Sequence, residues 1–328
     1  ILPKSVVCRD WVDMDYSEVI ADLYNKIDNS DTTDNVYIVT ASMYSPIQYA
    51  HEAIVIAIAR IFVKIPILLA YSGRIANMLL CVGLIYFSIK KMPFGKNIIL
   101  CISYIPILIE GISSMSGDGI TFSICLFFIA YLFNLIFNKE VTSITKKDKI
   151  ILGILSVIIA SCKIVYLPMI GLLLLLPKEK MKDKKDKIIT ISIFWGIALI
   201  ASLAWLIYSS RYLSALANLS QVGDVTTQEK ILSILTNPIS YVQRILYDIE
   251  LNGGTYIKEA FGSSIGWYNF VSLNTIIPYT LLMIFSIIAI TDNSVKDKFN
   301  KFQKIIITLV ILAIVLLIFT SLYIQWTK

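Results

Sequence analysis

Lys163 has the clearest potential for chemistry, because it interrupts an apolar run from residue 150 to residue 176. A lysine in membrane hydrocarbon costs on the order of 3 kcal/mol or more and usually serves a function. The same segment, KIVYLP, contains Tyr166 and Pro168, and a proline can open a helix but cannot continue one. We therefore predict two short helices that meet at this break, with Lys163 and Tyr166 facing an outward-facing cavity. The alternative is one long tilted helix whose lysine reaches back to the membrane surface.

Asp118 and Asp13 are the carboxylates best placed for chemistry. Asp118 lies in SSMSGDGITFSI at the start of an apolar segment. A carboxylate there either caps the positive end of a helix or holds a cation or polar ligand in the cavity that Lys163 faces. Asp13 lies in RDWVDMD, which is most simply a solvated acidic turn. Either carboxylate has the chemistry that a general base requires.

A few other polar residues lie in or near apolar segments, among them Arg74, Asn77 and Arg211. Arg74 begins an apolar segment, where an arginine either binds a phosphate or anchors the helix to lipid headgroups. His51 is the only histidine, which excludes a metal site built from several histidines, and it is most simply a surface residue. The sequence contains no P-loop, GxGxxG, HExxH or GxSxG motif, so nothing in it indicates ATP hydrolysis or nicotinamide chemistry.

The composition is that of a membrane protein. Of the 328 residues, 57% are hydrophobic and 16% are charged, against about 25% charged in soluble domains, and the mean hydropathy is +0.74. We therefore predict an all-α, polytopic membrane protein. Its net charge of +6 comes with lysines in short loops between apolar segments, which indicates membrane topology rather than nucleic-acid binding. The five cysteines are scattered and predict neither a disulfide framework nor a CxxC zinc site.

About seven or eight transmembrane segments are expected, since about 20 apolar residues cross a bilayer. The apolar segments are residues 73–89, 97–112, 118–137, 150–176, 188–208, 275–291 and 305–324. Lysine-rich loops lie at residues 90–96, 139–149, 178–187 and 296–304. Because lysine favours the cytoplasmic side, we predict that these loops are cytoplasmic and that the working side is extracytoplasmic. Residues 150–176 have such loops at both ends, so this segment is predicted to enter the membrane and return as a short broken hairpin.

The chain is interpreted as a single membrane domain, 1–328, of a multi-pass protein of the cell membrane. Its parts are an extracytoplasmic region (1–72), a transmembrane bundle (73–208), an extracytoplasmic loop (209–274) and further transmembrane helices (275–328). We also expect the sequence to be part of a longer protein, lacking a first transmembrane helix and a C-terminal part.

Two amphipathic helices are predicted along the outer membrane surface. The first begins with Ser45, Pro46 and Gln48 in the pattern of a capping box. The second has Asn237 as its cap and is expected to stop near Gly253. Each has an apolar face and an opposite polar face, as interfacial helices do.

The order of several short motifs resembles a known family. The motifs are YSPIQY (Tyr44, Pro46, Tyr49), YSGRIAN (Tyr71, Arg74, Asn77), SGD (Ser116, Asp118), KIVYLP (Lys163, Tyr166, Pro168) and GSSIGWYN…IP (Gly266, Trp267, Pro278). Over nearly the whole chain this order is similar to the bacterial membrane-protein family called domain of unknown function 2142. That family in turn resembles the C-type-fold (GT-C) glycosyltransferases. Its acidic pair followed by histidine is expected upstream of this sequence, and its Gln-Gly-Arg-Tyr-like motif downstream.

The resemblance implies a bacterial membrane glycosyltransferase that takes a sugar from a polyprenyl-phosphate donor at the outer face. It would pass the sugar to a glycan acceptor in a surface polysaccharide or cell-wall polymer. The residues expected to bind substrate are Lys163, Tyr166, Arg74, Asn77, Tyr44, Tyr49, His51 and Arg211, with Asp118 and Asp13 as candidate catalytic carboxylates. No metal ligands are predicted, although Mg²⁺ or Mn²⁺ is compatible with this chemistry. The alternatives are a transporter or flippase of lipid-linked glycans, or a non-catalytic membrane scaffold.

Overall fold

A computed structural model of the protein describes residues 16–24, 26, 44–217, 227–265, 268–269 and 276–326, without the side chains of residues 16, 19, 210–217, 227, 228, 265, 268, 269, 325 and 326. The described part is all-α, as the composition predicts, apart from a two-residue antiparallel pairing of Ser264–Ile265 with Tyr268–Asn269. Its α-helices are α1 (Tyr16–Asp22), α2 (Ala50–Phe62), α3 (Pro66–Lys91), α4 (Lys96–Ser103), α5 (Pro106–Ser113), α6 (Gly117–Phe137), α7 (Lys146–Cys162), α8 (Lys184–Ala217), α9 (Thr227–Thr236), α10 (Pro238–Ala260), α11 (Ile276–Thr291) and α12 (Lys301–Trp326). Short 3-10 turns lie at Pro46–Gln48, Lys178–Lys180 and Asn293–Val295, and a long 3-10 helix spans Ile164–Leu175.

Four helices in the described residues are long and apolar enough to cross a membrane: α3, α6, α8 and α12. The bent pair of α4 and α5 would make a fifth if it counts as one span. The helix Ile164–Leu175 and α11 are apolar but shorter. The structure is therefore that of an all-α membrane protein, and the expected count of seven or eight spans stays a prediction.

The segment 97–112, expected as one straight span, is divided in two. Helix α4 ends at Ser103 and α5 begins at Pro106, and the two are bent by 66°. The residue before the proline, Ile105, is extended (φ −62°, ψ 125°). A proline disfavours the helical conformation of the residue before it, so Pro106 starts a new helix in a new direction instead of continuing α4.

The chain from α7 onward runs out and comes back within about thirty residues. Helix α7 ends at Cys162, Lys163 is extended (φ −149°, ψ 124°), and the 3-10 helix Ile164–Leu175 follows; we call this last element the return helix. A 3-10 helix rises about 2.0 Å per residue against about 1.5 Å in an α-helix, so both arms are about 25 Å long. Twelve residues can therefore retrace the seventeen of α7.

Lysine contacts fix the far end of the return helix beside the start of α7. Lys149 forms an ion pair with Asp186 at 2.6 Å. Lys180 donates to the backbone carbonyl groups at the end of α6, those of Leu135, Ile136 and Asn138. Lys163 thus lies at one end of the bundle, and the lysine-rich connections at residues 139–149 and 178–187 lie at the other.

Helix α6 is the centre of the packed core. Its side chains Phe128 and Leu132 are fully buried, and α3, α5 and α7 all pack against it. Helices α5 and α6 approach closely where Gly111 faces Gly119: a Cβ atom built on Gly119 would lie 2.5 Å from the Gly111 carbonyl oxygen. This close approach fixes the start of α6, where the candidate site lies, against α5.

Helices α2 and α10 expose apolar side chains, as helices that rest on lipid do. On α2, Ile58 and Phe62 are among several exposed apolar residues, whereas Glu52 is buried. Helix α10 is capped by Asn237, as predicted, through a bond from the Ser240 backbone N–H. The predicted stop at Gly253 is wrong, because α10 continues to Ala260; a helix tolerates an internal glycine at about 1 kcal/mol.

Candidate functional site

The candidate site is centred on Lys163, where the chain breaks after α7. The Lys163 ammonium forms an ion pair with the Asp118 carboxylate at the start of α6. It also lies 4.9 Å from the centre of the Tyr44 ring, which provides a cation–π contact. The side chain of Lys163 is 20% exposed, whereas that of Asp118 is 69% exposed. The structure therefore brings together three residues that the sequence analysis singled out, from three separate parts of the chain.

Asp118 is not the cap of α6, contrary to one reading of the sequence. The cap is Ser116, whose hydroxyl oxygen accepts from the Asp118 backbone N–H at 3.2 Å. Asp118 is the second residue of the helix, so its carboxylate benefits from the positive end of the helix dipole while it reaches Lys163. An exposed carboxylate with these two partners can release the lysine to another anion without being left in a buried, unsolvated position.

A cavity of about 370 Å³ lies beside Lys163. Its walls come from the segment before α2, the α7 break, α8 and α12. They combine apolar and aromatic side chains with several hydroxyl groups, from residues Tyr44, Ser45, Ala160–Tyr166, Ser202, Trp205, Leu206, Ser209, Ile318, Ser321 and Leu322. Tyr166, predicted to share the cavity with Lys163, is among them. A cavity of this size, mostly apolar with one cation, is typical of a site for an organic anion or an amphiphile.

Gln48 holds the two sides of the ion pair together. Its amide nitrogen donates to the carbonyl of Cys162, the residue before Lys163. Its amide oxygen lies against Gly117, the residue before Asp118, where a Cβ atom would collide with it. The capping-box prediction is therefore wrong for Gln48, because this side chain is buried between helices instead of returning to Ser45, which alone caps the turn.

His51 and Asn77 form a second polar contact next to this site. The Asn77 amide nitrogen donates to the carbonyl groups of Gly111, Ile112 and Ser114, which fixes its oxygen as an acceptor. The His51 Nε2 atom, 3.0 Å from that oxygen, must therefore carry the proton. Burial lowers the pKa of His51, although the bond to Asn77 opposes this shift. Asn77 is fully buried, so its contacts join α2, α3 and α5.

Glu52 is a buried acid that the sequence analysis did not select. It is 4% exposed, one carboxylate oxygen has no hydrogen-bond partner, and the nearest cationic group is His51 Nε2 at 3.8 Å. Burial raises the pKa of Glu52 to about 7. The charges of Asp118, Lys163 and Glu52 all act on the hydroxyl group of Tyr49. Burial and the charge of Asp118 raise the pKa of Tyr49, whereas the charge of Lys163 lowers it.

Comparison with known proteins identifies the family. A family model described as "predicted membrane protein (DUF2142)" matches residues 19–328. The chain belongs to the DUF2142 family. This confirms the family resemblance drawn from the motifs. No curated protein matches the chain, and no solved structure matches it.

Other candidate residues of this DUF2142 protein lie apart from the cavity or outside the described residues. Arg74 stacks on Tyr71, with its guanidinium carbon 5.5 Å from the ring centre, and does not line the cavity. Arg211 lies in α8, but its side chain is outside the described residues, and so is Asp13. Within the described ranges, no three or more His, Cys, Asp or Glu side chains are grouped as metal ligands would be.

Proposed function

We propose that this DUF2142 protein is a glycosyltransferase that uses a polyprenyl-phosphate sugar as donor and a glycan hydroxyl as acceptor. The observation that carries the proposal is the cavity at the α7 break, which joins apolar walls to one largely buried lysine. A lipid phosphate needs both an apolar path for its chain and a cation for its head. Hydroxyl groups from Ser202, Ser209 and Ser321 line the same cavity and suit a sugar. The resemblance of the DUF2142 family to the GT-C glycosyltransferases is part of this proposal.

The ion pair suggests how the reaction would use both charges. The donor phosphate would replace Asp118 as the partner of Lys163, whose charge would stabilise the phosphate as it leaves. The bond between the sugar C1 atom and the phosphate oxygen would break, and its electron pair would stay on the phosphate. A bond from C1 to the acceptor oxygen would form. The released Asp118 carboxylate would take the acceptor proton as general base.

The site would face the outside of the cell. Helices α7, α8 and α12 each follow a lysine-rich segment and run toward the cavity. If lysine-rich connections stay in the cytoplasm, the cavity opens at the extracytoplasmic end. The exposed apolar faces of α2 and α10 would then lie in the outer leaflet, where a polyprenyl lipid would be held.

The test is to replace Lys163 with Met in the full-length protein and supply a labelled polyprenyl-phosphate sugar to membranes from cells lacking the native protein. We expect sugar transfer to fall about 10²-fold or more, the usual effect of removing one group that stabilises developing negative charge. Lys147→Met is the matched control, because Lys147 is exposed at the opposite end of the same helix. Unchanged transfer by an inserted Lys163→Met variant would contradict the proposal.

A transporter or flippase of lipid-linked glycans is the second candidate. The extended residue between α7 and the return helix favours it, because broken helices often form the substrate sites of transporters. The same membranes separate the two: a flippase would move the labelled lipid across the bilayer without consuming it. A scaffold would do neither, and Lys163→Met would then leave the surface glycan unchanged.

A further inference from the structure

Two buried oxygen atoms next to the candidate site lack a hydrogen-bond partner. They are Oε1 of Gln48 and Oε1 of Glu52, and they are the only such side-chain atoms found in the part of the chain that the structure describes. Gln48 is 1% exposed and Glu52 is 4% exposed, so neither is solvated. A buried acceptor left unpaired destabilises the fold, and a buried unpaired charge destabilises it more. Two of them four residues apart in the chain indicate a missing hydrogen-bond donor.

The spacing of the two residues allows one proton to satisfy both. Gln48 ends the 3-10 turn and Glu52 lies in the first turn of α2; Tyr49 between them is close to helical (φ −108°, ψ −2°). Residues four apart on such a turn face the same side, with their Cβ atoms about 6 Å apart. A protonated Glu52 could therefore donate its O–H to the oxygen of Gln48. An ionised Glu52 could not, since both groups would then be acceptors.

We propose that Glu52 is a proton-binding site whose proton bonds Gln48 and thereby sets the geometry of the Lys163–Asp118 pair. Gln48 is the connection, since it donates to the carbonyl before Lys163 and packs on the glycine before Asp118. Loss of the proton would leave a carboxylate facing the Gln48 oxygen. That repulsion would displace Gln48 and loosen the ion pair. The inference does not depend on sugar transfer, because it concerns the proton and the ion pair alone.

The groups around Glu52 favour its neutral form. On its own helix, His51 is 3.8 Å away and donates its Nε2 proton to Asn77 instead. Helix α3 brings Cys81, a buried thiol. Tyr49 also faces Glu52, and the charges of Asp118 and Lys163 act on Tyr49 from α6 and from the α7 break. None of these supplies a cation bonded to the carboxylate, and burial raises the pKa of Glu52 to about 7.

Infrared difference spectra of the purified full-length protein test the proton directly. We expect the carbonyl band of a protonated carboxylic acid to disappear as the pH rises through about 7, and to be absent from Glu52→Gln at every pH. Glu140→Gln is the matched control, because Glu140 is exposed in a turn. A wild-type protein without such a titrating band, or one whose band survives in Glu52→Gln, would overturn the proposal. Glu52→Gln must also fold, since its neutral amide can donate as the acid does.

Amine labelling tests the effect on the ion pair. The protein is acylated with a water-soluble ester at about pH 6 and about pH 8, and the labelling of Lys163 is divided by that of exposed Lys147 in the same digest. In the wild type we expect this ratio to rise at least several-fold with pH. In Glu52→Gln it should stay constant, because no proton leaves residue 52. An equal rise in both proteins would show that Glu52 does not act on Lys163, and would overturn that part of the proposal. Neither measurement requires the protein to be a glycosyltransferase.

Discussion

Asn77→Ala should destabilise the protein strongly, because Asn77 is a buried link between three helices. Its side chain is fully buried, and its amide nitrogen is 2.7 Å from the carbonyl of Ser114, with two further carbonyl groups of α5 at 3.2 and 3.3 Å. Its oxygen accepts from His51 at 3.0 Å. Asn77 was predicted from the sequence to bind substrate, whereas these contacts support a role in positioning α2 and the end of α5.

The magnitude follows from the groups that alanine would leave unpaired. The substitution removes two amide hydrogens and one acceptor, so at least one carbonyl of α5 and the His51 N–H lose their partner. Each unpaired buried group costs about 1–3 kcal/mol, and the small cavity adds to this. A loss of about 3–5 kcal/mol is therefore expected. On the scale of about 2–4 °C per kcal/mol for large domains, the melting temperature should fall by about 10 °C.

Buried thiols provide the assay. Cys125 and Cys162 are 8% and 2% exposed, so a thiol-reactive fluorescent dye reports their exposure as the detergent-solubilised protein is heated. Asn97→Ala is the matched control, because Asn97 is exposed on α4, and it should melt with the wild type. If Asn77→Ala melts within about 2 °C of the wild type, the positioning argument is refuted. If such a stable variant also loses donor binding, Asn77 contacts the substrate as first proposed.

Three further outcomes are expected. Gly119→Ala should fold poorly, because its Cβ would collide with the α5 backbone, whereas Gly83→Ala, with open space around it, should express normally by fluorescence-detected size exclusion. Tyr241→Phe removes a 2.7 Å bond to an α12 hydroxyl and should expose α10 to faster proteolysis, whereas Tyr247→Phe, 62% exposed, should not. The raised pKa of Glu52 means that the folded state keeps a proton that the unfolded chain releases. The resulting stabilisation is complete below about pH 4.5 and is lost as the pH rises through about 7. Over this range thermal melts should show the wild type losing up to about 3 kcal/mol of stability, whereas Glu52→Gln should not lose it.

The helical membrane fold followed from composition, and a break in the KIVYLP segment was predicted from a lysine and a proline inside an apolar run. The break lies at Lys163, whereas Pro168 lies inside the return helix and does not interrupt it. The 3-10 form of the return helix could not be predicted, because a fully apolar segment has no periodicity that separates an α-helix from a 3-10 helix. The bend at Pro106 was missed for a different reason. A window of apolar residues measures length and hydropathy, and the direction of a helix after a proline depends on the helices packed around it.

The site residues were also predictable only in part. Lys163, Asp118 and Tyr44 could be selected individually, since each is polar or aromatic at the edge of an apolar segment. Their contact could not be predicted, because they come from parts of the chain that only tertiary packing brings together. Gln48 was missed because it was assigned to a capping box, and Glu52 because it lies on a helix that was expected to rest on the membrane surface.

Helix α2 exposes apolar side chains and buries a polar one, and this arrangement supports a functional site rather than a purely structural contact. A helix at a membrane surface can place apolar side chains in lipid, as α2 does with Ile58 and Phe62, so its inner face is free to be polar. Buried polar groups with a purely structural role normally have hydrogen-bond partners, because an unpaired one destabilises the fold. Asn77 obeys this rule with every polar atom bonded, whereas Gln48 and Glu52, next to the Lys163–Asp118 pair, do not. The contrast between neighbours in one core is what a proton bound at Glu52 would explain.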